Sequence, residues 1–292
     1  MSFTLLILAG GLGSRFNGSK QIEGIGPNGE LLLEYSIYDA VWQGCSKVVI
    51  LSNPECIPKL QLKLNYLRDK VNIIYVNQYE HDPNYPNFRK RPWGTAHAVL
   101  STENYIDENF ILINADDFYG QSSYQKAKEL FKSINKSRYG LVTYHLSETL
   151  SEFGGVSRGI CSVTNFQLVS ISEHTNIYKK KDGITSNENQ TGLSSNDLVS
   201  MNMWVFSTSV FKYLRASFDS FYEINQFDEE AELYLPEVIN TLLKKAMVTV
   251  EVKTTDADWF GLTYSDDLPR AKKLIIDAID NETYPINMHS NG

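Results

Sequence analysis

The chain has 292 residues, with 42% hydrophobic, 12% aromatic and 21% charged side chains, which is enough to bury a full core and too apolar for disorder. Its net charge of −8 opposes nucleic acid and anionic membranes as partners, so an anion must be held by local basic groups. Cys45, Cys56 and Cys161 share no C-x-x-C spacing, so neither a disulfide framework nor a zinc site is indicated and a cytoplasmic location is expected.

FTLLILA (3–9) is uniformly apolar, too short to cross a membrane, and without the charged flank and cleavage site of a signal peptide. It predicts a strand buried on both faces of a parallel sheet. The strand runs into LILAGGLGSRFNGSK (6–20), where Gly10, Gly11 and Gly13 expose bare backbone and Arg15 and Lys20 follow. Backbone N–H groups can approach a phosphate closely there. The G-x-G-x-x-G pattern fails at Phe16, and G-x-x-x-x-G-K-[ST] fails because Ser19 separates Gly18 from Lys20. The stretch therefore reads either as a tight turn with two solvated cations or as a cradle for a triphosphate, whose several charges two spaced cations would match.

Further apolar runs, KVVILS (47–52), NIIYV (72–76), NFILINA (109–115) and GLVTYH (140–145), predict more strands. Between them, 31–44 has apolar residues 33, 37, 40 and 41 on one helical face with Gly44 to stop it, and 57–69, 95–104 and 122–136 have helical length and period. PWGTAHAVL (92–100) puts Gly94 and Thr95 at a helix start, with small Ala96 and Ala98 allowing approach by a flat ring. NFILINADDFYG (109–120) delivers Asp116 and Asp117 to the carboxyl end of a buried strand. Adjacent carboxylates suit Mg²⁺, which takes one or two of them plus phosphate oxygens; an Asx turn is the other reading.

After about residue 150 the pattern changes. GICSVT (159–164), QLVSISEH (167–174) and SMNMWVF (200–206) alternate as antiparallel strands, and 182–197 reads as a mobile polar loop. Helices are predicted at 208–221, 234–245 and 266–281, with a strand at 248–253. The expectation is one α/β domain over 1–292: a Rossmann-like, mostly parallel mixed sheet flanked by helices. Residues 1–150 would form its nucleotide half, and an antiparallel substrate-binding elaboration would fill 151–292.

The stretch L-A-G-G-L-G-S-R with a lysine soon after resembles the signature of sugar-1-phosphate nucleotidyltransferases. That resemblance implies Mg²⁺-dependent condensation of an NTP with a sugar 1-phosphate to give an NDP-sugar and pyrophosphate. It implies that Ala9, Gly10, Gly11, Gly13 and Ser14 wrap the NTP phosphates, that Arg15 and Lys20 act at the reacting phosphates, and that Gln21 stands where proline is usual. Gln78 would read the base edge, beside Gly94 and Thr95. Between them YEHDPNYPNFRKR (79–91) carries Arg89, Lys90 and Arg91, which either reach phosphates or form a solvated basic loop.

By the same resemblance Asp116 holds the metal, Gly154 lies beside the hexose, and Glu173 accepts from a sugar hydroxyl. His174 stands at the phosphate-binding lysine's place. Asn202 bonds either sugar hydroxyls or a strand backbone. In DADWFGLTY (256–264) Gly261 occupies the place of the family's second metal-ligating aspartate, so Asp256 or Asp258 substitutes, or one carboxylate and the phosphates suffice. An oligomer is compatible with all of this. Two other functions fit the pattern: a cytidylyltransferase for phosphocholine or another small phosphate, and a non-catalytic nucleotide-sugar sensor.

Overall fold

The computed structural model describes residues 2–10, 22–79, 91–180, 183–188, 192–262 and 265–289. The first half builds as the sequence predicts. Strand β1 (Phe3–Ala9) leads to helix α1 (Leu32–Trp42), β2 (Cys45–Ser52), α2 (Ile57–Lys63), β3 (Asn72–Asn77), α3 (Thr95–Leu100) and β4 (Phe110–Asn114). In α1 the Leu31 N–H donates to Glu34 Oε1 at 2.8 Å, satisfying one orphan donor of the first turn. Asn53 Oδ1 accepts from the Glu55 and Cys56 N–H groups ahead of α2. Helix α3 stops earlier than its period suggests because Ser101 and Thr102 turn their hydroxyls back onto the carbonyls of His97 and Val99.

After β4 come a two-residue strand β5 (Asp117–Phe118), α4 (Gln121–Leu130), β6 (Arg138–His145), β7 (Val156–Thr164), β8 (Gln167–Lys180), β9 (Gly183–Thr185) and β10 (Leu198–Phe206). The chain then forms α5 (Val210–Asn225), α6 (Leu235–Lys244), β11 (Thr249–Thr254), β12 (Phe260–Gly261) and α7 (Leu268–Asp280). The main sheet runs β3-β2-β1-β4-β10-β6-β11-β8-β7, with β9 on β8, and β5 and β12 form a separate antiparallel pair. Alternate residues of β1 face opposite cores: Leu5 and Ile7 pack on one side, Leu6 on the other, all fully buried. That two-sided burial is why β1 reads as an unbroken apolar run.

Strand β6 does not pair with β4, because β10 lies antiparallel between them. Strand β10 can take that central place because Val199, Met203, Trp204, Val205 and Phe206 are completely buried in the two-sided core. The segment expected as a mobile loop over 182–197 is in part a hairpin: β9 pairs with the end of β8, and Ile184 bridges Leu193. Among the described residues no helix is long and apolar enough to cross a membrane.

The segment after α7 returns to α1. The Tyr284 hydroxyl donates to Asp39 Oδ2 at 2.7 Å, Asn28 Nδ2 donates to Ile286 O at 2.9 Å, and His289 Nε2 lies 3.0 Å from Glu34 Oε2. Burial pushes the Asp39 carboxyl up to about 7, against hydrogen bonds from Tyr284 and Gln121 that lower it. The unfolded chain therefore ionises Asp39 first. Its contribution to stability is full below about pH 4 and is lost as pH rises to about 7. Asp39→Asn removes this dependence and still accepts from Tyr284. In urea melts the variant gains on the parent by about 2–4 kcal/mol between pH 4 and pH 8. An unchanged difference across that interval contradicts the assignment.

Candidate active site

The carboxyl ends of the four parallel strands are laced together. Ser52 Oγ donates to Ala9 O at 3.0 Å, Gln78 N donates to Ser52 O at 3.1 Å, and Ala115 N donates to Leu8 O at 3.0 Å. Gln78 follows directly on β3, and its Nε2 donates to Gly10 O at 3.2 Å, which assigns Oε1 as the acceptor of that amide. Gln78 packs closely on Gly10: a Cβ there would sit 2.0 Å from Gln78 Oε1 and push the amide out of this position.

Gln78 and Gly10 line a cavity of about 410 Å³ together with Gly94, Thr95, Leu8, Leu51, Ala98, Arg91 and Glu232. Its size suits a small organic ligand, and Leu8, Leu51 and Ala98 give it an apolar wall with polar groups at the rim. Four residues expected at a nucleotide thus meet in one pocket. Ala9 ends β1 beside it, whereas Gly11, Gly13, Ser14, Arg15 and Lys20 lie outside the described residues.

The far wall is held by the segment before α6. Leu233 N donates to Trp93 O at 2.8 Å, Ala96 N to Leu233 O at 3.0 Å, and Leu235 N to Thr95 Oγ1 at 2.9 Å. Gly94 makes this possible with φ +96°, and a Cβ there would lie 2.5 Å from Leu233 O. Gly94→Ala is expected to cost about 2 kcal/mol or more from left-handed strain plus the clash. Denaturant unfolding measures it, and a neutral effect would show that this wall is loose.

Asp116 and Asp117 follow the carboxyl end of β4, the strand next to β1 in the same sheet. Asp116 is half-buried in the turn between β4 and β5, and its carbonyl accepts from Leu262 N at 2.9 Å. Asp117 is 7% exposed, and its Oδ2 accepts from Asn114 Nδ2 at 2.9 Å. Asn114 Oδ1 accepts in turn from Asn202 Nδ2 at 2.8 Å, and Asn202 Oδ1 from Trp204 Nε1 at 3.1 Å. Asn202, at φ 62° where the β10–β6 register shifts, therefore ties the central strand to the carboxylates. Among the described residues no three His, Cys, Asp or Glu side chains group around one point. Two successive carboxylates at a strand end nonetheless fit Mg²⁺, whose other ligands would be phosphate oxygens and water. Asp256 and Asp258, possible substitutes for the missing ligand at Gly261, are both exposed.

On the β7–β8 side, Gly154, Gly155, Ser147, Ser151, Lys179 and Arg270 belong to the wall of an open polar cavity of about 710 Å³. Gly155 packs so closely on β8 that a Cβ would meet Asn176 Oδ1 at 2.1 Å. Arg270 also faces a narrow crevice lined by Arg158, Trp259 and Gly261, so this side adjoins the β5–β12 pair that carries Asp117. Glu173 lies opposite Gly159 in the β7–β8 ladder. Desolvation raises its pKa, Arg158 opposes that, and Glu188 and Glu237 add to it. His174 Nδ1 lies 3.0 Å from Ser186 Oγ, a partner in the hairpin beyond β8.

Arg158 escaped the sequence reading. Its guanidinium is buried, stacks 4.8 Å over the Trp259 ring, and donates to Ser157 O and Thr149 O. Burial pulls its pKa down to about 10, and Asp117, Glu173 and Asp267 hold it up. A lone arginine in a strand carries no periodic signal of such burial.

The profile of the Nucleotidyl transferase family matches residues 4–276. A structure from Bacillus anthracis assigned as a glucose-1-phosphate thymidylyltransferase, in complex with a sucrose, superposes with TM-score 0.65 at 15% identity, covering 95% of this chain and 96% of that one. An inositol-1-phosphate CTP transferase from T. maritima gives 0.63 at 18%, over 94% of each chain. A UDP-glucose pyrophosphorylase complexed with UDP-glucose gives 0.61 at 15%, over 95% of this chain and 99% of that one. No curated protein sequence matches. At these identities the superpositions establish a shared fold.

Proposed function

Because the chain belongs to the nucleotidyl transferase family, we propose that it joins an NTP to a sugar 1-phosphate, giving an NDP-sugar and pyrophosphate. The observation that carries this reading is the placement of Asp116 and Asp117 at the end of β4, between two cavities. The base-sized pocket of Gly10, Gln78, Gly94 and Thr95 lies on the β1–β3 side, and the polar cavity beside Gly154 lies on the β7–β8 side.

In this reading the base enters the first pocket, where Gln78 Oε1 accepts an N–H of its edge. The sugar occupies the polar cavity, with Gly154 and Gly155 allowing a close approach. A phosphate oxygen of the sugar phosphate attacks the α-phosphorus, and the bond to the departing pyrophosphate breaks. The nucleophile is already anionic, so no general base is required; positioning and charge stabilisation carry the step. Arg15 and Lys20 neutralise charge growing on the reacting phosphates. Asp116 would hold Mg²⁺, which when bound supplies further neutralisation of those phosphates.

The test is pyrophosphate release from a panel of UTP, dTTP, CTP, GTP and ATP against hexose 1-phosphates, with inositol 1-phosphate and phosphocholine included. Release with a hexose 1-phosphate supports the reading. Release with CTP and phosphocholine or inositol 1-phosphate alone replaces it with a cytidylyltransferase. Binding without release makes the protein a sensor.

A further inference from the structure

We propose that Arg270, in the first turn of α7, is the residue that takes the phosphate of the sugar phosphate, at the inner end of the polar cavity; the inference rests on the sugar-phosphate reading above. Leu150, Ser151 and Arg270 line both the polar cavity and the narrow crevice beside it, so the arginine stands at their junction. The crevice is also lined by Gly261, which lies opposite Asp117 in the β5–β12 ladder, and the next residue, Leu262, donates its N–H to Asp116 O at 2.9 Å. A sugar in the cavity with its phosphate at the junction therefore presents that phosphate on the side of the Asp116 turn, where the reading places the reacting phosphates.

The junction is rich in donors. Arg158 and Trp259 line the crevice, and Arg158 Nε and Trp259 Nε1 are buried with no hydrogen-bond partner among the described residues. Buried donors of this kind call for an acceptor. The crevice has a volume of about 20 Å³, room for one oxygen-sized group, which leaves the other phosphate oxygens in the cavity. The two arginines differ in charge balance. Arg158 is held among Asp117, Glu173 and Asp267, the last being the carboxylate on the crevice, so its charge is already offset. Arg270 is exposed and makes no hydrogen bond or ion pair among the described residues. A cation in the first turn of a helix also opposes the helix dipole, a cost that a bound anion relieves. Lys179 adds a second cation to the cavity wall, against the single carboxylate of Glu152. His174, opposite Arg158 in the β7–β8 ladder, lies on Ser186 Oγ and lines neither space, so the planar fork that meets the phosphate comes from α7 and not from position 174.

Isothermal titration calorimetry of the full-length protein tests this, with glucose 1-phosphate, galactose 1-phosphate and mannose 1-phosphate in one set and UTP, dTTP, CTP, GTP and ATP in another. Arg270→Gln is expected to weaken binding of the sugar phosphate that the parent takes best by about 10-fold or more, and Arg270→Lys by less, while the best nucleotide binds within about twofold of the parent. In turnover the same variants raise KM for the sugar phosphate and leave KM for the NTP in place. The side chain is exposed, so both variants are expected to melt with the parent, which thermal unfolding checks. Equal affinity for the sugar phosphate in the parent and Arg270→Gln overturns the inference and leaves the reading of the function standing. An equal loss for sugar phosphate and nucleotide assigns Arg270 to the shape of the whole site and also overturns it. A parent that binds none of the three sugar phosphates removes both.

Discussion

Asp116→Asn is expected to abolish Mg²⁺-dependent turnover, a fall of about 10³ or more, as for the loss of a group that holds transition-state charge. The substitution is nearly isosteric, and the turn at 116 is fixed through its backbone carbonyl, which accepts from Leu262 N, so the fold survives it. Substrate binding in the base pocket should change little, because Gln78, Gly94 and Thr95 stand just after β3 and at the start of α3 rather than on β4. The expected signature is therefore a collapse of kcat with a nearly unchanged KM for the nucleotide. EDTA should reproduce it in the parent. Normal turnover in EDTA, or in the asparagine variant, contradicts the proposed metal role.

Lys20→Ala or Arg15→Ala should each lower turnover by roughly 10²–10³, the usual consequence of deleting one donor of transition-state charge stabilisation. Both residues follow Gly10 in the sequence, and Gly10 itself lines the pocket with Gln78, Gly94 and Thr95. With a net charge of −8, the protein has no general positive field to compensate for either loss. Arg15→Lys should recover less than full activity, because an ammonium does not reproduce the planar fork of a guanidinium. Full activity in either alanine variant would move the phosphate chemistry away from this stretch.

Much of the pocket on the β1–β3 side was legible in the sequence because its parts sit at strand ends. β1 reads correctly since both faces are buried, and Gly10, Gln78, Gly94 and Thr95 follow strands or open a helix where a ligand is expected. What escaped depends on pairings between distant segments. SMNMWVF alternates like any antiparallel strand, and nothing local shows that it sits between β4 and β6. β5 and β12 have two residues each, too few for any period, yet their register sets Asp117 against Gly261. Asn202 was expected at sugar hydroxyls or a strand backbone; in the fold its amide joins Trp204 to Asn114, a partner 88 positions away. Arg158 is a further case, since its burial beneath Trp259 joins β7 to a segment a hundred residues on.

The most direct test of the central claim is ³¹P NMR of the protein incubated with Mg²⁺, an NTP and a sugar 1-phosphate. Attack at the α-phosphorus predicts that free pyrophosphate and the paired doublets of an unsymmetrical diphosphate diester grow in equal amounts, and only when both substrates are present. Orthophosphate release, or unchanged substrate signals from a protein that binds both, would contradict it.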